Sequence, residues 1–340
     1  MTDYRDEYRR WCEDSYFDDK TRQELKALTS EEEIKDRFSR ELEFGTGGLR
    51  GIMGAGLNRM NRYTVRKATQ GLANYINSQE RTERKAVIAY DSRHNSAEFA
   101  MEAALCLCAN GIEVYLFDSL RPTPELSFAV RELQCMAGIV VTASHNPPEY
   151  NGYKVYWEDG AQITCPRDTD IMREVKAVSD FASVKYMGQR EAVCGGLLHF
   201  IGEEIDCRYL SELKKLVQEP ELLRERAREL KIVYTPLHGT GNVLVRRILK
   251  ELGIETLTGF KYIGEQIRLF EKQGTYEYLF GFEESYGCLV GTYSRDKDAV
   301  GAVMALCEAA VYYRTKGLTL WDQMQKLYKR YGYYKESIHT

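Results

Sequence analysis

The sequence predicts an α/β protein built on mixed, doubly wound sheets, and three observations lead there. Apolar runs at residues 86–90, 113–117 and 136–141 have the length and composition of buried strands. They alternate with helical stretches at 96–109 and 124–134, the pattern of a sheet covered by helices on both faces. The last run breaks off into Thr142-Ala143-Ser144-His145-Asn146-Pro147, whose polar residues and prolines end strand pairing and expose a turn. In open α/β sheets ligands sit at such carboxyl ends of strands.

In chain order, residues 3–27 read as a helical arm of mixed charge, with Trp11, Tyr16 and Phe17 assigned to packing. The arm is expected to extend to residue 40, and the doubly wound domain to fill residues 41–205. A charged helical stretch follows at 203–230, then a strand at 231–234 and a helix at 242–252. Beyond it the expectation is a short strand near 255, a helix at 259–273, strands at 276–280 and 288–291, and a helix at 297–314.

Composition narrows the function classes. A chain of 340 residues, 44% of them hydrophobic, is long enough for two or three cores. Its nine cysteines are scattered without CxxC pairing, so they are expected to be reduced and mostly buried, as in a cytoplasmic protein. No apolar segment reaches membrane-spanning length, and residues 1–20 lack the charged-then-apolar order of a signal peptide. The formal charge of −4 carries no basic excess for nucleic acid. An anionic substrate would be drawn by local cations rather than by the overall field.

The candidate chemistry gathers around Ser144. Downstream, Asn151-Gly152-Tyr153-Lys154 reads as an Asn-Gly turn that swings Lys154 back toward the serine, bringing together a hydroxyl, an imidazole and an ammonium. Such a set suits phosphoryl transfer, since a serine holds phosphate as an ester while cations neutralise it. On composition alone the same segment is ordinary loop material.

The order of several motifs decides between these readings. TASHNP followed by NGYK resembles the phosphoserine loop of the α-D-phosphohexomutases, the phosphoglucomutase and phosphomannomutase family. Phe44-Gly45-Thr46-Gly47-Gly48-Leu49-Arg50-Gly51 is similar to that family's N-terminal FGTGGLRG, Tyr90-Asp91-Ser92-Arg93 to its DSR turn, and Arg121-Pro122-Thr123-Pro124 to its PTP turn. Thr235-Pro236-Leu237-His238-Gly239-Thr240-Gly241 resembles the start of the second domain, and Thr258-Gly259-Phe260-Lys261 opens a third-domain helix. Gly281-Phe282-Glu283-Glu284-Ser285-Tyr286-Gly287 is similar to the sugar-recognition loop.

The resemblance implies reversible transfer between the 1- and 6-positions of a glucose or mannose phosphate through a hexose 1,6-bisphosphate. Ser144 would carry the phosphoryl group, Arg50 and Lys154 would supply charge and assist proton transfer, and His145 would order the loop or act directly. Glu283 and Ser285 would hydrogen-bond sugar hydroxyls, with Lys261 and Arg295 near the sugar or its phosphate. Glu284, Lys297 and Asp298 read as surface or helix-cap residues.

The chain also departs from the family. It passes from residue 257 directly into the third-domain motif at Thr258, so residues 206–257 are expected to be a partial second domain, and residues 258–340 a partial third domain forming a hybrid with it. The DxDxDR loop that holds magnesium is missing, and neither Asp168 with Asp170 nor Asp296 with Asp298 replaces it. Ser144 would touch Mg2+ through a phosphate oxygen alone. No RPSGTEP-like fourth-domain loop occurs before Thr340. Two phosphoryl groups about 5 Å apart repel by about 7–13 kcal/mol at an effective dielectric of about 20, which Arg50 and Lys154 could screen, but they would not replace the ion's Lewis-acid contact with the transferring oxygen, so turnover is expected to be lowered. Weak mutase activity, sugar-phosphate binding without turnover, and slow bisphosphate hydrolysis all fit, as does a pentose phosphate substrate.

Overall fold

The computed structural model describes residues 3–45, 48–144, 146–217, 220–221, 225, 231–233, 239–253, 255–257, 268–274, 280–282, 288–290, 306 and 309–333. The chain divides into two compact units, Met1–Lys215 and Leu216–Thr340.

The first unit opens with three short helices, α1 (Tyr4–Glu13), α2 (Asp19–Lys26) and α3 (Glu31–Phe38), whose side-chain N-caps are Asp3, Asp18 and Ser30. They close over an aromatic cluster in which Trp11 stacks on Phe17 at 4.2 Å and meets Phe38, Tyr63 and Phe181 edge-on. Trp11 and Phe17 are fully buried, as the packing assignment required. Because Tyr63 belongs to α4 (Arg62–Ser78), the cluster ties the arm to the sheet domain.

That domain is a seven-stranded mixed sheet between two helical layers. Its strands are β1 (Phe44–Gly45), β2 (Gly48–Ile52), β3 (Lys85–Tyr90), β4 (Glu113–Phe117), β5 (Ala137–Val141), β6 (Tyr150–Trp157) and β7 (Leu198–Ile201), in the spatial order β1-β2-β6-β5-β3-β4-β7. β5, β3, β4 and β7 run parallel, whereas β1, β2 and β6 pair antiparallel. Side chains alternate across the strands. Ala86 and Ile88 join Leu72, Phe99, Ala103 and Ile171 in one core, and Val87 and Ala89 join Leu126, Val130 and Ile205 in the other. The first layer comes from α4, α5 (Ser96–Ala109), α7 (Arg167–Ala177) and α8 (Gln189–Cys194), the second from α6 (Thr123–Glu132) and α9 (Glu203–Lys214). This is the mixed α/β architecture that the sequence predicts, and α9, read there as the start of the charged stretch that opens the next domain, packs on this sheet.

The Asn151-Gly152 turn is not formed. Both residues lie inside β6, one of the interior strands of the sheet. Glycine serves there for close approach rather than chain reversal: a Cβ on Gly152 would sit 2.5 Å from the Thr142 carbonyl oxygen on β5's exit and 3.1 Å from that of Leu49 on β2.

Four described cysteines, 12, 106, 108 and 135, are buried and three, 165, 194 and 207, are exposed; all seven are free thiols. Among the described residues no helix is long and apolar enough to cross a membrane.

In the second unit, strands Lys231–Val233 and Glu255–Leu257 pair in parallel, and the helix Asn242–Glu251 lies between them in sequence. Strands Phe280–Phe282 and Cys288–Val290 pair antiparallel. The helix Leu320–Tyr331 starts from a Thr319–Asp322 capping box. The expected helices at 259–273 and 297–314 and the strand at 276–280 lie largely outside the described residues.

Candidate active site

Three strand ends build the candidate site. β3 and β5 run side by side and release their chains at the same edge, with Tyr90 opposite Val141 and Asp91 N–H donating to the Val141 carbonyl at 3.1 Å. β6 then returns antiparallel between β5 and β2. Ser144 therefore follows directly from the end of β5, beside the first residues of β6.

Ser144 is exposed and has φ +55°, a left-handed conformation that costs a non-glycine residue about 1–2 kcal/mol. Its surroundings hold it there. Ser144 N–H donates to Thr142 Oγ1 at 2.9 Å, and its carbonyl accepts from Arg93 Nη2 at 2.7 Å. Arg93 also donates to the carbonyls of Asn146, Pro147 and Tyr150. Asp91 turns the β3 exit by accepting from Arg93 N–H and from the buried Ser96 hydroxyl. Asn151 donates to that same hydroxyl and to the His94 carbonyl, which joins the start of β6 to the β3 exit.

Arg50 and Lys154 meet on one face of the sheet. Arg50 is opposite Gly152 and Lys154 is opposite Gly48, and register partners project to the same side. Both glycines are needed for this approach, since a Cβ on Gly48 would fall 2.0 Å from the Tyr153 carbonyl oxygen. Lys154 is also opposite Val140 on β5, the strand that leads to Ser144. Burial lowers the Lys154 pKa from the ordinary lysine value, the like charge of Arg50 lowers it further, and Asp91 opposes both. A lysine shifted in this direction exchanges its proton more readily than an exposed one.

His145, Lys261, Glu283, Ser285 and Arg295 lie outside the described residues. Arg93, Asp91 and Thr142, quoted from the sequence only as parts of motifs, shape the loop, and Asn151, read there as a turn residue, shapes it from within β6. Their signal was the DSR turn itself, whose arginine and aspartate follow a buried strand.

Magnesium finds no cage among the described residues, where no group of three or more His, Cys, Asp or Glu side chains is placed to hold a metal. Asp91 is occupied by Ser96 and Arg93, and Asp170 is paired with Arg173 at 3.0 Å.

The first unit is thus a three-layer α/β domain with a serine loop following β5 and two cationic residues on one face of adjacent strands. Comparison with known proteins places it further. The description "Phosphoglucomutase/phosphomannomutase, alpha/beta/alpha domain I" matches residues 41–181, and that of domain III of the same family matches residues 222–331. The chain belongs to the phosphoglucomutase/phosphomannomutase family, whose enzymes are isomerases of the intramolecular phosphotransferase class and generally depend on Mg2+.

It is similar to a phosphoglucomutase of Staphylococcus haemolyticus, 28% identical over 416 positions that span 88% of this chain and 74% of the relative. It is likewise similar to a phosphopentomutase of Pongo abelii, 28% identical over 444 positions covering 91% and 72% of the two chains. Both alignments are longer than the 340 residues of this chain, so both relatives carry segments that it lacks. A phosphoglucomutase/phosphomannomutase family protein of Burkholderia thailandensis shares the fold, with a TM-score of 0.50 and 21% identity over 75% of this chain. This chain spans 55% of that structure's length.

Proposed function

We propose that the chain is a phosphohexomutase-type scaffold in which Ser144 carries a phosphoryl group between the 1- and 6-positions of glucose or mannose phosphate, with turnover lowered by the missing magnesium loop. The observation that supports this reading is the placement of Arg50 and Lys154 on one face of adjacent strands, with Ser144 at the end of the neighbouring strand.

In the forward half-reaction a sugar hydroxyl oxygen attacks the phosphorus of phosphoserine. The new O–P bond forms, the bond to Ser144 Oγ breaks, and the hydroxyl proton passes by way of Lys154 to the departing Ser144 Oγ. The resulting hexose 1,6-bisphosphate turns end for end. Ser144 Oγ then attacks the other phosphate, recovering phosphoserine and releasing the isomeric monophosphate. Arg50 balances phosphate charge. His145 orders the loop, Glu283 and Ser285 hold sugar hydroxyls, and Lys261 and Arg295 stand near the sugar or its phosphate. The activator is the bisphosphate, the substrate a hexose phosphate, and the compartment the cytoplasm. Residues 206–257 and 258–340 act as partial second and third domains that together complete one hybrid unit.

A coupled assay for glucose 6-phosphate from glucose 1-phosphate, with catalytic glucose 1,6-bisphosphate and with or without Mg2+, tests the reading. Slow turnover that depends on Ser144 supports it. Release of inorganic phosphate from the bisphosphate without isomerisation identifies a phosphatase instead, and binding without either product identifies a non-catalytic relative.

A further inference from the structure

We propose that Arg93 is the positioning residue of the Ser144 loop, fixing the serine's backbone so that its hydroxyl is presented for phosphoryl exchange. This assignment rests on the reading of Ser144 as the phosphoryl carrier. A guanidinium has five N–H donors in a rigid planar fork, and here each edge of the fork has a use. Nη2 donates to the carbonyls of Ser144 at 2.7 Å and Asn146 at 2.5 Å, and Nη1 to those of Pro147 at 2.8 Å and Tyr150 at 3.2 Å. Nε faces Asp91 Oδ2 at 3.5 Å, and the side chain is only 14% exposed.

These four acceptors span the whole connection from the serine to the first residue of β6. Among the described hydrogen bonds Asn61 gathers the carbonyls of Gly54, Gly56 and Arg59 in a similar way, and Arg93 gathers four. Among the described residues the connection also closes short backbone bonds of its own, from Asn146 N–H to Ala143 and from Tyr150 N–H to Pro147. Without Arg93 the Ser144 and Asn146 carbonyls lose the protein donor described for each, and the Pro147 carbonyl keeps Tyr150 N–H.

The effect reaches the serine directly. Ser144 sits at φ +55°, with Thr142 holding its N–H and Arg93 its carbonyl. With one peptide group anchored on each side, the direction of the Cα–Cβ bond is fixed. Removing either anchor lets the residue relax toward right-handed backbone and swings the hydroxyl away. Arg93 acts through the main chain and makes no contact with a reacting atom. Lysine keeps the charge but cannot span four carbonyls, because its three donors sit on one rotating nitrogen.

The test compares the wild type, Arg93→Lys and Arg93→Ala, the last with millimolar guanidinium or an equal concentration of sodium chloride. Two measurements are made: amide hydrogen exchange across residues 142–150, and the rate of phosphate uptake from glucose 1,6-bisphosphate by intact mass. Thermal melting and exchange in β3 and β4 report global folding. The expected result for Arg93→Lys is loop exchange at least about tenfold faster, with β3 and β4 unchanged. Phosphate uptake at saturating bisphosphate falls about 100-fold, while the half-saturating concentration stays within about twofold. Guanidinium, and not sodium chloride, restores loop protection in Arg93→Ala.

Unchanged loop exchange in Arg93→Lys overturns the proposal. So does faster exchange with an unchanged uptake rate, since Arg93 would then be structural only. A wild type that takes up no phosphate overturns the reading of Ser144, and loop exchange in the two variants then decides by itself whether Arg93 sets the serine's backbone.

Discussion

Replacing Gly152 by alanine probes the packing on which the candidate site stands. The added Cβ would lie 2.5 Å from the Thr142 carbonyl oxygen and 3.1 Å from the Leu49 carbonyl oxygen, both backbone atoms of neighbouring strands. Ordinary contact begins near 3.4 Å. β6 must therefore retreat from β5 by close to 1 Å, against the bond from Thr142 N–H to the Gly152 carbonyl at 3.0 Å. Overpacking of this kind costs about 1–3 kcal/mol, and with backbone on both sides the upper part of that range applies. In a unit of this size about 3 kcal/mol lowers Tm by about 6–12 °C. The shift also moves Lys154 relative to Ser144, and a misplacement of about 1 Å lowers a positioned reaction about 100-fold. Urea denaturation gives the stability and intact mass the phosphate uptake. A Gly152→Ala protein that melts with the wild type and takes up phosphate at the same rate refutes the claim that close strand approach builds the site.

Other outcomes follow from the cores. Glu125 is fully buried, its Oε2 3.8 Å from the Nε of Arg121, which binds Asp206 at 2.7 and 3.0 Å. Burial raises the Glu125 pKa, the Asp206 carboxylate raises it further, and Arg121 opposes them. The folded protein thus keeps a proton that the unfolded chain releases. Its stabilising effect is complete below the unfolded glutamate pKa and is lost as pH rises toward the raised folded value. Urea titrations should show stability falling between pH 5 and 8, by at most about 1.4 kcal/mol per pH unit for one proton, and Glu125→Gln should flatten the slope. Trp11→Ala removes the centre of the aromatic cluster and should destabilise the first unit by about 3–5 kcal/mol in chemical denaturation. Asp206→Ala leaves the buried Arg121 without its two-point partner and should cost about 3–5 kcal/mol, with α9 the first segment to gain hydrogen exchange.

Three of the four parallel strands, β3, β4 and β5, were legible because their runs are largely apolar, whereas β7, a short Leu-His-Phe-Ile segment, was not read as a strand. β3, β4 and β5 are covered on both faces, and their runs of Val, Ile and Ala need no partner to be recognised. β2 and β6 were hidden by the glycines that make the site. Gly48, Gly51 and Gly152 read as loop or turn chemistry, whereas the structure uses them where a Cβ would strike a neighbour. The residue pair Arg50 and Lys154 was legible as motif chemistry, but its basis was not, since register across two antiparallel strands is not written in local sequence. Arg93 was visible only as part of a turn. Its task depends on carbonyls 51 to 57 residues away, a separation that no local pattern encodes.

Intact-mass measurement of the protein after incubation with glucose 1,6-bisphosphate bears most directly on Ser144 as phosphoryl carrier. The account predicts a gain of a single phosphate, localised to Ser144 by peptide mapping and absent from Ser144→Ala. A wild-type protein that stays unmodified, or a phosphate that persists in Ser144→Ala, contradicts it.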